Sequence, residues 1–202
     1  MRRAVDATLA LRPALTPDEA RRARAWTVRV ATWLDEVWGE DVDTLPPFKW
    51  DTLAGVPGWA VGTPAELERL ALLAGALFAA PALRVCLDAG PLIRVRALVG
   101  ADALDQVLAV PGLPMQAPTW PADARGERDT LHAWGGTLLV ASVGDPLVQA
   151  TVHRVLDLRS AATDARAVPV SVALRLVRLA LDIAHGDVRA AAPKEQETEV
   201  TR

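Results

Sequence analysis

The sequence predicts an all-α protein: a single compact multi-helix bundle with long irregular connectors. Three observations carry that expectation. A helix start is written twice in the same form, Thr16-Pro17-Asp18-Glu19 and Thr63-Pro64-Ala65-Glu66. In each, the threonine caps a free backbone N–H, the proline has its φ already set for a first turn, and the glutamate reaches back to close a capping box. Apolar residues recur at spacings of three and four, the helical period, along most of the chain. Alternating runs long enough for a strand are missing, and the one doubtful place is Gly136 to Val143, rich in valine and threonine.

Taken in order, residues 1–15 are expected to be a loose leader, 16–189 the helical domain, and 190–202 a flexible tail with no apolar periodicity. The first helix should run from the Thr16 cap to about Trp38, with Gly39 as its stop. Ala23, Trp26, Val30, Trp33 and Val37 make its apolar stripe, and Arg21, Arg22, Arg24 and Arg29 decorate its first half. Asp35 and Glu36 lie near its C-terminal end, where the helix dipole disfavours acids. They read either as a face turned toward a basic partner or as ordinary solvated surface.

Residues 39–62 form a long connector, acidic at Glu40, Asp41 and Asp43 and broken by prolines and glycines. It also holds Phe48, Trp50 and Trp59. A loop of this length is usually functional or disordered, and three aromatics argue against disorder. They either staple the loop to the bundle or offer an aromatic contact to another protein, since tryptophan is enriched at interface hot spots. Trp120, in a second proline-rich connector at 111–125, carries the same two readings.

The central element starts at Pro64 and should run to residue 80. Leu67, Leu70, Ala71, Ala74, Leu77 and Phe78 recur at helical spacing, and the opposite face carries Leu72, Leu73, Gly75 and Ala76. No charge follows Arg69 until Arg84, and a helix apolar nearly all round is buried. It is too short to cross a bilayer. Pro81 should open a short helix with Leu83, Val85, Cys86 and Leu87. Gly90-Pro91 should start another, from Leu92 to Val99, ended by Gly100. Asp102 should cap a third, carrying Leu104, Val107 and Leu108. A helix from Glu127 to Val143 places Leu131, Trp134, Leu138 and Leu139 inward. Its Gly135-Gly136 pair costs roughly 1 kcal/mol per glycine against alanine, which points to a close neighbouring helix. Further helices are expected from Pro146 to about Leu158 and from Pro169 or Ser171 to Gly186, the last with Arg175, Arg178 and Asp182 along its exposed edge.

Three segments resemble the SctK family of bacterial type III secretion, accessory proteins of the cytoplasmic sorting platform. They are Leu67-Glu68-Arg69-Leu70-Ala71-Leu72-Leu73-Ala74-Gly75-Ala76-Leu77, Ala82-Leu83-Arg84-Val85-Cys86-Leu87-Asp88 and Leu98-Val99-Gly100-Ala101-Asp102-Ala103-Leu104. The pattern is a Leu-rich helix, a Leu-Arg-x-x-Leu/Ile-Asp element and a Leu-x-x-Gly-x-x-x-Leu element, over roughly residues 63–109. The resemblance implies a non-enzymatic cytoplasmic adaptor that links an SctD-like inner-membrane ring protein to an SctQ-like pod protein. It supplies no interface residues. Those expected from the residues themselves are Asp35, Glu36, Glu40, Asp41, Asp43, Trp50, Trp59 and Trp120.

Composition limits the alternatives. The 202 residues fit one domain, and about half are apolar, enough for a core. A net charge of −3 gives no general attraction to nucleic-acid phosphates, and no stretch has the length of a membrane span. Cys86 is the single cysteine, so no internal disulfide forms, and its apolar neighbours suggest a buried, inert thiol. His132, His153 and His185 have no metal-ligand spacing, and no phosphate loop or nucleophile elbow is present. No catalytic residue, cofactor or metal is therefore expected. The rival is a small-molecule-binding helical regulator, or an enzyme with an unrecognised site between helices. A large buried pocket with convergent polar groups would favour the rival; a filled core with an aromatic surface patch would favour the adaptor.

Overall fold

The structure, a computed structural model, describes residues 16–44, 55–86, 88–113, 126–158 and 168–186. Every regular element among them is helical, as the sequence predicts. In chain order these are α1 (Pro17–Trp38), α2 (Pro64–Arg84), α3 (Ala89–Val99), α4 (Ala101–Ala109), α5 (Glu127–Ala141), α6 (Pro146–Val155) and α7 (Val170–Ala184). Two 3-10 turns, Gly39–Thr44 and Gly58–Val61, lie between α1 and α2. The doubtful strand at 136–143 is helical: it covers the second half of α5, with Ser142 and Val143 just beyond the helix end. The proposed leader and tail, 1–15 and 190–202, lie outside the described residues.

Both capping boxes form. Glu66 N donates to Thr63 Oγ1 at 3.3 Å, while Thr63 N donates to Glu66 Oε2 at 2.7 Å; Thr16 and Glu19 repeat the arrangement. Each box satisfies backbone donors that a helix start otherwise leaves open. α2 then runs through the middle of the molecule, buried without a break from Leu70 to Ala80. It touches α3, α4, α5 and α7, with α5 as its closest neighbour. Phe78 meets Trp134 of α5 edge to face, ring centroids 5.8 Å apart.

The α2–α5 seam depends on missing side chains. A Cβ on Gly135 would lie 1.7 Å from Ala71 O, and one on Gly75 would lie 2.0 Å from Leu131 O. The two backbones are in direct contact, which accounts for the glycine pair in α5.

Three expected boundaries are corrected. The helix expected from Leu92 begins at Ala89 under an Asp88 cap, with Gly90 and Pro91 in its first turn, where a proline's missing N–H costs nothing. Pro81 does not open a new helix; α2 continues through it to Arg84. The missing N–H costs one hydrogen bond in the last turn, and the packing of Leu77 to Ala80 on one side and Leu83 on the other holds the helix together. Consequently Val85 is 75% exposed, and Cys86 is not the buried thiol its apolar neighbours suggest but partly exposed, donating to Asp88 O at 3.4 Å. Leu87 lies outside the described residues. Asp102 is not the cap of α4: Gly100, at φ +96°, ends α3 and begins α4 at once, so α4 starts two residues earlier and Asp102 falls in its first turn. There its charge complements the helix dipole.

Residues that carry the family resemblance build this region. Arg84 donates from Nε to Leu108 O at 2.9 Å and from Nη2 to Val110 O, covering the open carbonyls at the end of α4. Asp88 caps α3 by accepting from Gly90 N at 2.9 Å. Arg94 on α3 forms a two-pronged pair with Glu127 at the start of α5, Nε–Oε2 2.8 Å and Nη2–Oε1 2.7 Å, and Glu127 is 2% exposed.

Candidate docking surface

The Gly58–Val61 turn is pinned by its own sequence. Ala60 and Val61 are buried, and Gly62 N donates back to Trp59 O at 3.2 Å before Thr63 caps α2. With its successors held in the core, Trp59 is left half-buried at the edge of the bundle. Around it α1, the first turns of α2 and the last turn of α7 enclose an open groove of about 620 Å³. Trp59, Leu70, Leu181 and Ala184 make its apolar surface; Arg29, Arg69 and His185 line it with nitrogen.

Among the described residues the acid lining this groove is Glu66, whose Oε2 accepts from both the Thr63 backbone N–H and the Thr63 hydroxyl. The Thr63 backbone N–H, and after it the Thr63 hydroxyl, hold the Glu66 carboxyl below the usual carboxylate range, with Arg29 contributing from farther away. Arg29 and Gly62 also line a second cleft of about 540 Å³, bounded by Trp33, Glu36, Val37 and Val61. The two clefts therefore meet along the α1–α2 boundary, cationic at the Trp59 end and acidic at Glu36.

Of the residues expected to bind a partner, the structure brings Trp59 and Glu36 to this composite groove. Asp35 and Glu40 are exposed on and just after α1. Asp41 is engaged within the molecule: it pairs with Arg154 of α6, whose guanidinium lies 4.9 Å from the centroid of the Trp38 ring. Trp38 Nε1 in turn donates to the buried Thr151 Oγ1 at 3.0 Å. This cluster fastens the end of α1 to α6. Asp43 belongs to the Gly39–Thr44 turn, with its side chain outside the described residues; Trp50 and Trp120 are wholly outside them.

Arg29, Arg69, Leu181 and His185 were not singled out as binding residues by the sequence. They come from three helices far apart in the chain, and no local period connects them.

A third cleft, of about 560 Å³, lies where α5 meets the α6 C-terminus and is lined by Glu68, Arg128, Asp129, His132 and Asp157. Glu68 and Arg128 form an ion pair across it. Burial is the main cause that pushes the His132 imidazole below its ordinary value of 6.5. Arg128, Asp129 and Asp157 are exposed, so the polar groups converge on water rather than on an enclosed cavity. Among the described residues, no three histidine, cysteine or acidic side chains are placed to hold a metal ion, and no helix is long and apolar enough to cross a membrane.

No family model, no curated protein and no solved structure matches this chain.

Proposed function

We propose that the protein is a non-enzymatic adaptor of a type III secretion sorting platform, linking an SctD-like inner-membrane ring protein to an SctQ-like pod protein on the cytoplasmic side. The observation that carries the docking role is the open groove at Trp59: a half-buried aromatic in a partly apolar channel with charged walls, on a bundle whose centre is filled by α2. Such a surface suits another protein chain better than a small substrate, which needs most of its own surface enclosed. The secretion-platform identity is supported by the resemblance over residues 63–109. Those residues mainly build the α2–α4 scaffold, so they support a shared architecture and leave the interface to be read from this chain.

The test is co-purification from cells expressing the secretion apparatus, with the tagged full-length chain as bait. Recovery of both the pod protein and the ring protein is the expected result. Recovery of neither, from a bait that is folded, contradicts the assignment. The second reading, a small-molecule site, would fall at the His132 cleft, where a half-buried imidazole meets several charged groups; a ligand that raises the thermal midpoint of the wild type but not of His132→Ala would support that reading instead.

A further inference from the structure

We infer that the groove at Trp59 receives an acidic amphipathic segment of a partner protein, one that sets large apolar side chains against Trp59 and Leu181 and carboxylates against Arg29 and Arg69. The inference rests on the adaptor reading and adds the chemistry of the partner.

Charge is the deciding observation. Several other arginines on the described surface have counter-ions: Arg21 with Asp18, Arg96 with Asp105, Arg128 with Glu68, Arg154 with Asp41. Arg84 and Arg175 spend their donors on backbone carbonyls. Arg29 and Arg69 flank the groove, and among the described residues neither is within ion-pair or hydrogen-bond distance of a carboxylate or carbonyl, although Arg29 acts on Glu66 from farther away. The nearby Glu66 is held to the Thr63 cap through its Oε2. An incoming carboxylate would find two exposed guanidiniums able to donate forked hydrogen bonds beside the apolar floor of Leu70, Leu181 and Ala184. Glu36, in the adjoining cleft, repels acids at that end and so limits how far an acidic run can extend.

The experiment titrates the full chain into a labelled synthetic helical peptide with leucines at three- and four-residue spacing and glutamates between them. A twin peptide with lysines in place of the glutamates is the control, and both are read by fluorescence anisotropy. The acidic peptide is expected to bind, more weakly as salt rises, and the basic twin is not. Arg29→Glu with Arg69→Glu should weaken the acidic peptide at least about tenfold, and Glu36→Lys should tighten it a few-fold. Trp59→Ala should cost about tenfold or more. The charge variants sit on exposed positions, so they carry the test if Trp59→Ala fails to fold. Equal binding of the two peptides, no binding of the acidic one, or indifference to reversal of the arginines overturns the inference. If the pod and ring proteins are still recovered by the arginine-reversed bait, the groove assignment fails and the adaptor reading stands. If the wild type recovers neither while the acidic peptide shows the expected pattern, the groove stands and the secretion identity fails.

Discussion

Gly75 and Gly135 face each other where α2 and α5 cross: a methyl group on Gly135 would stand 2.8 Å from the Gly75 nitrogen as well as 1.7 Å from Ala71 O. Both obstacles are main chain, which cannot rotate out of the way. Helix propensity alone would make Gly135→Ala stabilising by about 1 kcal/mol. The collision reverses the sign, and Gly135→Ala should destabilise by at least about 3 kcal/mol in denaturant titration. Gly136→Ala is the control. Its methyl would meet Leu158 Cδ2 at 2.6 Å, the far end of a side chain that can turn, so the net change should stay within about 1 kcal/mol. Similar losses in both variants would mean that the helices are not in backbone contact.

Thr151 is fully buried and serves two partners, accepting from Trp38 Nε1 and donating to Leu147 O at 2.7 Å. Thr151→Val keeps the shape and strands the indole N–H, at a cost of about 1–2 kcal/mol. The loss should appear together with a shift in Trp38 emission, because α1 is held to α6 at this point.

Thr63→Ala removes the oxygen that accepts from Glu66 N. A lost N-cap of this kind costs about 1 kcal/mol. Thr63→Ser should recover most of it, since the hydroxyl and not the methyl makes the bond; calorimetry of the three proteins checks the order.

His132 makes stability depend on pH. Its folded pKa lies below the ordinary 6.5, chiefly through burial, while Glu68, Asp129 and Asp157 oppose that shift and Arg128 adds to it. The unfolded chain therefore takes up a proton first. The stability tied to a neutral imidazole is complete above 6.5 and is lost as pH falls below it toward the depressed folded value. The thermal midpoint should drop as pH falls below 6.5, and His132→Gln should flatten that drop. Glu19 and Glu66 act in a separate, lower window: both are held below 4.5 by their threonine caps, so their contribution is present above that value and disappears as pH falls through the folded pKa.

What the sequence revealed and what it hid divide along local and long-range chemistry. The caps at Thr16 and Thr63 and the stripe Trp26-Val30-Trp33 are set by neighbours within a turn or two, and each was legible; the approach of Gly135 to Ala71 of α2 is long-range, and only the helix-unfavourable glycine pair announced it. The passage of α2 through Pro81 was not, because a local rule about proline was overridden by packing against other helices. Asp102 misled for a related reason: Gly100 joins two helices, and its φ of +96° is a property of the joint. At the candidate site, Trp59 and Glu36 were found from residue type and position. The arginines beside them were missed because Arg29, Arg69 and His185 meet only through the fold. Arg84 and Asp88 look like motif residues in the sequence and prove to be a C-terminal and an N-terminal cap.

Hydrogen exchange of the full chain, alone and with the proposed SctQ-like and SctD-like partners, separates a buried scaffold from a docking surface. Amides of α2 from Leu70 to Ala80, buried throughout, should exchange slowest in the free protein and be unchanged by a partner. New protection should be confined to the outside, at 58–62, around Arg29 and at the end of α7. Rapid exchange along α2, or partner-induced protection that avoids the Trp59 groove, would contradict that division.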